Sequence, residues 1–313
     1  MIIGSKAAIN EKQLLDRKEK GSNWFEVHTD YRDIINLKET ISKKNILEKI
    51  GLKPYCIHAP MYDENKNWLS FVTTNKDLYQ KSFSYNKKSI IIANELCDYP
   101  NPFVVTHVDH LISLPEFKSK QQFKDHFKRS LTEMNEFLIK KYPHITLLIE
   151  NLTKIDLQKT KEKEITINPY YYFVEIKECF DEIKPTNIGF VLDICHLESS
   201  CLFDKLIPNE QSLTSIYEII YMYKDYLKLF HLSKSKNFAL RQHEHGTGFR
   251  KEDQEDLAYI KTFLLFLKFM GYEYPITIET KEDDILNGIN YKSTKEAIET
   301  ANKQLNNIFN IEF

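Results

Sequence analysis

No Cys-x-x-Cys pair occurs in the sequence, no apolar run is long enough for a membrane, and neither charge is in excess. The five cysteines (Cys56, Cys97, Cys179, Cys195, Cys201) are odd in number, which argues for reduced thiols in a cytoplasmic protein and against a disulfide framework. Cys195 reads as a small core residue, not a nucleophile. The most apolar helical stretch, TFLLFLKFM at 262–270, is interrupted by Lys268 and falls far short of the roughly 20 residues a spanning helix needs. The opening MIIGSKAAIN turns polar too early for a signal peptide, so the expected location is cytoplasmic. A net charge of −2 and a pI near 6.6 exclude a global basic field for gripping nucleic acid, leaving only local patches. Glycine is scarce, at eight residues among many Lys, Asn, Ile and Tyr, which reads as base composition and not chemistry. Internal repeats, low-complexity tracts and Pro/Gly/Ser linkers are missing too, and no motif marks a protein partner.

What is present is alternation. Short apolar runs at 1–9, 24–29, 54–59, 103–108, 145–151, 188–195, 227–233 and 275–280 read as strands, being β-branched or aromatic and too short for helices. Longer amphipathic stretches lie between them. In 119–142, Phe123, Phe127, Leu131, Met134 and Leu138 recur at three- and four-residue spacing. The stretch 253–272 follows the same rule with Gly271 as its C-terminal stop, and 293–309 opens on Ser293 with Glu296 three residues on, the pattern of a capping box. Eight strand-then-helix units in about 300 residues predict parallel strands, right-handed crossovers and a single (β/α)8 TIM barrel over 1–313. Two domains or an open doubly wound sheet are the alternatives. An insertion at about 61–88 follows the third strand, where barrels put substrate loops.

Polar residues end these strands. Glu26, Val27 and His28 close the second, His58 the third, and His107 the fourth, followed by Asp109 and His110. Glu150 closes the fifth, Asp193 the sixth with His196 just beyond, His231 the seventh and Glu279 the eighth. The loop after the seventh strand adds His243 and His245. Of ten histidines only His126 and His144 fall away from this rim, and the C-terminal rim is where barrel enzymes keep their active sites. Glu150, Asp193 and Glu279 converging at one face would repel one another and be desolvated. Divalent cations relieve both costs, and this N/O ligand set suits zinc first and manganese second. Period-two alternation lets Glu150 share the luminal face with Leu148 while Ile149 faces the helices. Tyr62 could stack on a substrate, although in a chain with 18 tyrosines ordinary packing is the simpler reading. The lysine-rich stretches 118–128 and 154–163 read as solvated surfaces.

The ordered pieces IHAP, THVDH, IEN, LDICH, FHLSKSK, HEHGTG and IET, over residues 57–280, resemble the xylose isomerase-like TIM barrels, in particular the endonuclease IV-like branch. That superfamily includes apurinic/apyrimidinic endonucleases and sugar isomerases and epimerases. The resemblance implies a Glu150/Asp193/His231/Glu279 quartet common to both branches. In the endonuclease branch it implies a multinuclear metal centre cutting phosphodiesters in DNA with an abasic or damaged site. There Glu150 bridges two ions, His58 and His107 hold the first, and Asp193, His231 and Glu279 the second. A third would fall to His196 and His243, giving two or three ions per chain. In the isomerase branch one ion sits in the quartet, and Glu150 and Glu279 act as acid and base on a small sugar substrate. His28, His110, His245 and Arg241 are expected to contact substrate. The sequence departs from the endonuclease pattern where Ser233 and Lys234 replace Asn-Asp, and where Arg241 replaces an aspartate two residues before His243. A cation in place of an acidic ligand should weaken the third ion.

Overall fold

The apolar runs become strands β1 (Ile3–Ala7), β2 (Trp24–His28), β3 (Lys53–His58), β4 (Phe103–His107) and β5 (Thr146–Glu150), then a short hairpin of β6 (Ile155–Leu157) and β7 (Ile165–Ile167), then β8 (Ile188–Asp193), β9 (Leu227–Leu232) and β10 (Ile276–Ile278). The computed structural model describes residues 1–108, 117–153, 155–157, 165–167, 173–206, 215–235 and 246–309. Every strand but the hairpin joins one closed parallel barrel in the order β1-β2-β3-β4-β5-β8-β9-β10 and back to β1. Eight parallel strands alternating with helices make this a TIM barrel of one domain.

Two apolar layers hold it. Tyr55, Cys56, Phe103, Val105, Leu148, Val191 and Leu229 form a separate cluster that fills the lumen. Their strand neighbours Val104, Leu147, Ile149, Phe190, Leu192, Phe230 and Leu232 face outward into the larger core beneath the helices. Strand parity therefore carries Leu148 to Glu150, Val191 to Asp193, Val105 to His107 and Leu229 to His231 on the luminal face. The polar tips of the strands converge because the barrel closes.

The long helices follow the sequence periodicity. Helix α6 (Lys120–Lys141) buries Phe123, Phe127, Leu131, Met134 and Leu138 and is capped by Ser119, whose hydroxyl accepts from Gln122 N. Helix α10 (Gln254–Phe269) is capped by Asp253 and stops at Gly271, whose φ of 66° is left-handed. The sequence expectation fails at Ser293. Helix α11 begins four residues earlier, spanning Ile289–Phe309, so Ser293 lies inside it and donates its hydroxyl to Phe249 O instead of capping. The segment 61–88 is only half loop, because helix α5 (Lys76–Leu96) starts at its midpoint on an Asn75 cap. The sequence pattern carries no signal for the antiparallel β6–β7 pair. Three-residue strands are too short to show an alternation that a sequence reading could detect.

Candidate metal centre

Strand register sets up the site before any side chain is considered. His28 stands opposite His58, His107 opposite Glu150, and Asp193 opposite His231, each pair at the C-terminal ends of neighbouring strands. Adjacent parallel strands lie about 4.8 Å apart, so side chains on one face of such a pair meet.

Two sets of ligating atoms result. His58, His107 and Glu150 form one, and Glu150, Asp193, His231 and Glu279 the other, each with its atoms within 4.8 Å of one another. Glu150 belongs to both and divides its oxygens between them. Oε2 lies 3.0 Å from His58 Nε2 and 3.3 Å from His107 Nε2, and Oε1 lies 3.4 Å from His231 Nδ1. Glu279 Oε2 sits 2.6 Å from the same His231 nitrogen. All but Glu279 are buried.

Whether these residues suit divalent cations can be tested on their hydrogen bonds. His58 Nδ1 faces the Ala59 carbonyl at 3.0 Å, and a carbonyl only accepts, so Nδ1 carries a proton and a neutral ring turns its lone pair on Nε2 toward Glu150. A lone pair aimed at a carboxylate is repulsive unless a cation or proton lies between them. Asp193 Oδ2 is buried and accepts no hydrogen bond. Burial pushes the Asp193 carboxyl up to about 6, with Glu279 and Glu150 adding to it against the nearby His196. Burial would also raise Glu150, but His231 and His107 outweigh it and hold that carboxyl well below the ordinary range. Burial pushes the His107 imidazole down and so favours the neutral ligand form. The donor set fits a divalent cation.

The surrounding contacts add two residues to which sequence reasoning gave no role. Glu26, fully buried on β2, accepts from His231 through Oε2 at 2.9 Å and from Thr277 at 2.9 Å. Burial opposes its charge, yet His231 and Lys6 draw it down to about 2. Lys6 on β1 reaches Glu279 Oε1 at 2.6 Å and Glu26 Oε1 at 3.4 Å. Its signal was legible: a lysine one residue from the end of an apolar strand, on the parity that faces the lumen.

Other expected residues fall as follows. His28 lies beside His58, with ring centroids 5.8 Å apart, and its buried Nδ1 accepts no hydrogen bond. Burial, with Lys6 nearby, brings it down to about 4, so it is neutral. His196 stands outside both sets, and His243, its expected co-ligand for a third ion, lies outside the described residues. The His196 Nδ1 donates to the Asn151 carbonyl at 2.8 Å and lies 3.8 Å from Asp193 Oδ2 and 3.9 Å from Glu150 Oε1. Asn151 also brackets Asp193, accepting from its N–H at 2.7 Å and donating to its carbonyl at 3.1 Å. Lys234 pairs with Asp256 on α10, while its backbone pairs with Thr247 in both directions at 2.9 Å. Tyr62 is 42% exposed and meets Trp68 edge-on at 4.8 Å, and Trp68 in turn approaches His107 at 6.2 Å, which makes an aromatic wall over one ligand set. His110, Arg241, His243 and His245 lie outside the described residues.

One partly buried acid near the centre is open to a stability test. Glu198, on helix α8 (Ile194–Leu206), accepts from Ser235 N at 3.2 Å, and burial raises it from 4.5 to about 7. An acid with a folded pKa above its unfolded one stabilises the native state fully below 4.5 and loses that contribution as pH rises through 7. Glu198→Gln should therefore stabilise the protein by roughly 2 kcal/mol at pH 8 and by nothing at pH 4. Urea unfolding at the two pH values checks it, and an equal effect at both would refute the burial argument.

A closed parallel barrel with candidate metal-ligand clusters gathered at its C-terminal rim defines the class: a TIM-barrel protein with a candidate metal centre. The particular family follows from a family model, described as xylose isomerase-like TIM barrel, that matches residues 17–305. The chain belongs to this family. No curated protein matches it in sequence. Solved structures similar in fold include AP endonuclease, family 2, from Brucella melitensis (TM-score 0.63, 12% identity, 95% of this chain and 96% of that one). Another is the apo form of 3-keto-D-glucoside 4-epimerase, YcjR, from E. coli (0.62, 13%, 97% and 99%). A third is a xylose isomerase-like TIM barrel protein from Mycobacterium smegmatis in complex with magnesium (0.58, 12%, 94% and 89%). Candidate ligand clusters and the family together support divalent-metal binding, and both endonuclease and epimerase neighbours are present. Among the described residues, no helix is long and apolar enough to cross a membrane.

Proposed function

We propose that the chain is a metal-dependent phosphodiester hydrolase with two divalent ions, zinc first and manganese second, and DNA with an abasic or damaged site as its substrate class. One observation carries this reading: Glu150 turns one oxygen to each ligand set, as a carboxylate bridging two ions must. His58 and His107 would hold the first ion with Glu150, and Asp193, His231 and Glu279 the second. When bound, such ions supply the positive charge that phosphoryl transfer spreads over its oxygens and make water acidic near neutral pH. The protein's own part is to orient the ligands. The Ala59 carbonyl fixes the His58 tautomer, Glu26 holds His231 from behind, and Asn151 clamps Asp193.

The sugar isomerase or epimerase reading asks more of the glutamates. Exchanging a proton with a sugar carbon needs a carboxylate oxygen turned to the substrate. Here both oxygens of Glu150 face imidazoles, and those of Glu279 face Lys6 and His231. The departure at Arg241 favours two ions over three, since it sets a cation where the endonuclease pattern has an acidic ligand. The lack of a basic field is compatible with damaged DNA, because an abasic nucleotide is cheaper to extrude than an intact one. Exposed Lys66 and Arg250 are then local phosphate contacts, with Arg241 in the same role.

Elemental analysis of protein purified without an affinity tag should find two ions per chain, with one lost in His58→Ala or His107→Ala. Cleavage of an abasic duplex should fall at least about 100-fold in either variant. One ion, indifferent to both substitutions, would transfer the assignment to the sugar isomerase or epimerase.

A further inference from the structure

Four side chains close a ring behind the second ligand set. Lys6 touches Glu279 and Glu26, Glu279 touches His231 Nδ1, and His231 Nε2 touches Glu26. Positive and negative partners alternate around it. Among the described residues, the set formed by His58, His107 and Glu150 has no such ring: its histidines meet Glu150 Oε2, His58 meets the Ala59 carbonyl, and Glu150 turns Oε1 to His231. The two sets thus differ in one respect that the ligands alone do not show: among the described residues, only the Glu279 side has a lysine ammonium on one of its own ligands.

We infer that Lys6 is the resident cation of the Glu279 side, a positioning residue that neutralises Glu279 and Glu26 before a metal arrives and makes that side the weaker, exchangeable one. Lys6 holds Glu279 by Oε1, while the oxygen beside His231 is Oε2, so ammonium and metal use different oxygens and need not exclude each other sterically. Their charges still repel. A side chain only 13% exposed receives little help from water in screening that repulsion. The inference rests on the proposed two-ion centre and adds an order of affinity within it.

The test is a Zn2+ titration of the metal-free, full-length chain against a competing chelating dye, which reads the two dissociation constants without reference to turnover. The wild type should bind one tight and one weaker ion. Lys6→Met should tighten the weaker by at least about tenfold and leave the tight one unchanged. Lys6→Arg, which keeps the charge, should bind as the wild type does. In the Lys6→Met/His107→Ala double variant, the ion that remains should be the tightened one. If Lys6→Met does not fold, Lys6→Gln keeps a single donor toward Glu279 without the charge and should show the same tightening. Weaker or unchanged binding in the neutral variants would overturn the inference while leaving the two-ion centre intact. A wild type that binds no zinc would overturn the metal centre, and the inference with it.

Discussion

Glu150→Gln is expected to weaken both ions together, whereas loss of any other ligand should weaken one. Among the described residues, Glu150 alone belongs to both ligand sets, with Oε2 near His58 and His107 and Oε1 near His231. The amide keeps the shape but removes the negative charge, and it presents an NH2 to one set, where a donor can only repel a cation. Each ion should be held at least about 100-fold less tightly, and abasic-duplex cleavage should fall by at least the same factor. The fold should persist, because Leu148 and Ile149 on the same strand pack as before. Elemental analysis with circular dichroism checks the prediction. A variant that keeps one ion at wild-type affinity would show that Glu150 does not bridge.

Gly189→Ala should damage the fold more than its size suggests. Gly189 sits on β8 opposite Leu148, on the luminal face that leads to Val191 and Asp193. A Cβ there would lie 2.7 Å from the Tyr226 carbonyl oxygen and 3.1 Å from both Leu148 Cδ2 and Lys228 Cγ. The closest neighbour is backbone, and that same carbonyl accepts from Phe190 N at 2.8 Å, so moving it breaks the start of the β8–β9 pairing. Overpacking at a rigid site costs about 3 kcal/mol, which should lower Tm by roughly 5 °C. The displacement should also pass along β8 to Asp193 and weaken the Glu279-side ion. A thermal melt identical to wild type would mean that the strand pair can spread without cost.

Much of the site was legible because barrel strands are simple. A strand that ends in a carboxylate or imidazole after alternating apolar residues can turn that group only into the lumen or into the helix layer. His58, His107, Glu150, Asp193, His231 and Glu279 all follow the luminal parity. His196 lies past the strand end, on the first turn of α8, where strand parity no longer applies, and its Nδ1 donates to the Asn151 carbonyl. Ser293 misled as a helix start. A capping-box pattern is a local signal, and packing of α11 against the residues near Phe249 extended the helix past it.

The sequence by itself determined the barrel and which imidazoles and carboxylates stand at its rim, because both follow from period-two and period-three-to-four patterns within single segments. Only the tertiary structure decided how those groups divide. Glu150 falls between two sets, Lys6 from the first strand meets Glu279 from just beyond the last, and Glu26 stands behind His231. These contacts join residues up to 273 positions apart. Closing a barrel brings its first and last strands side by side, and no pattern within one segment carries the register in which they meet.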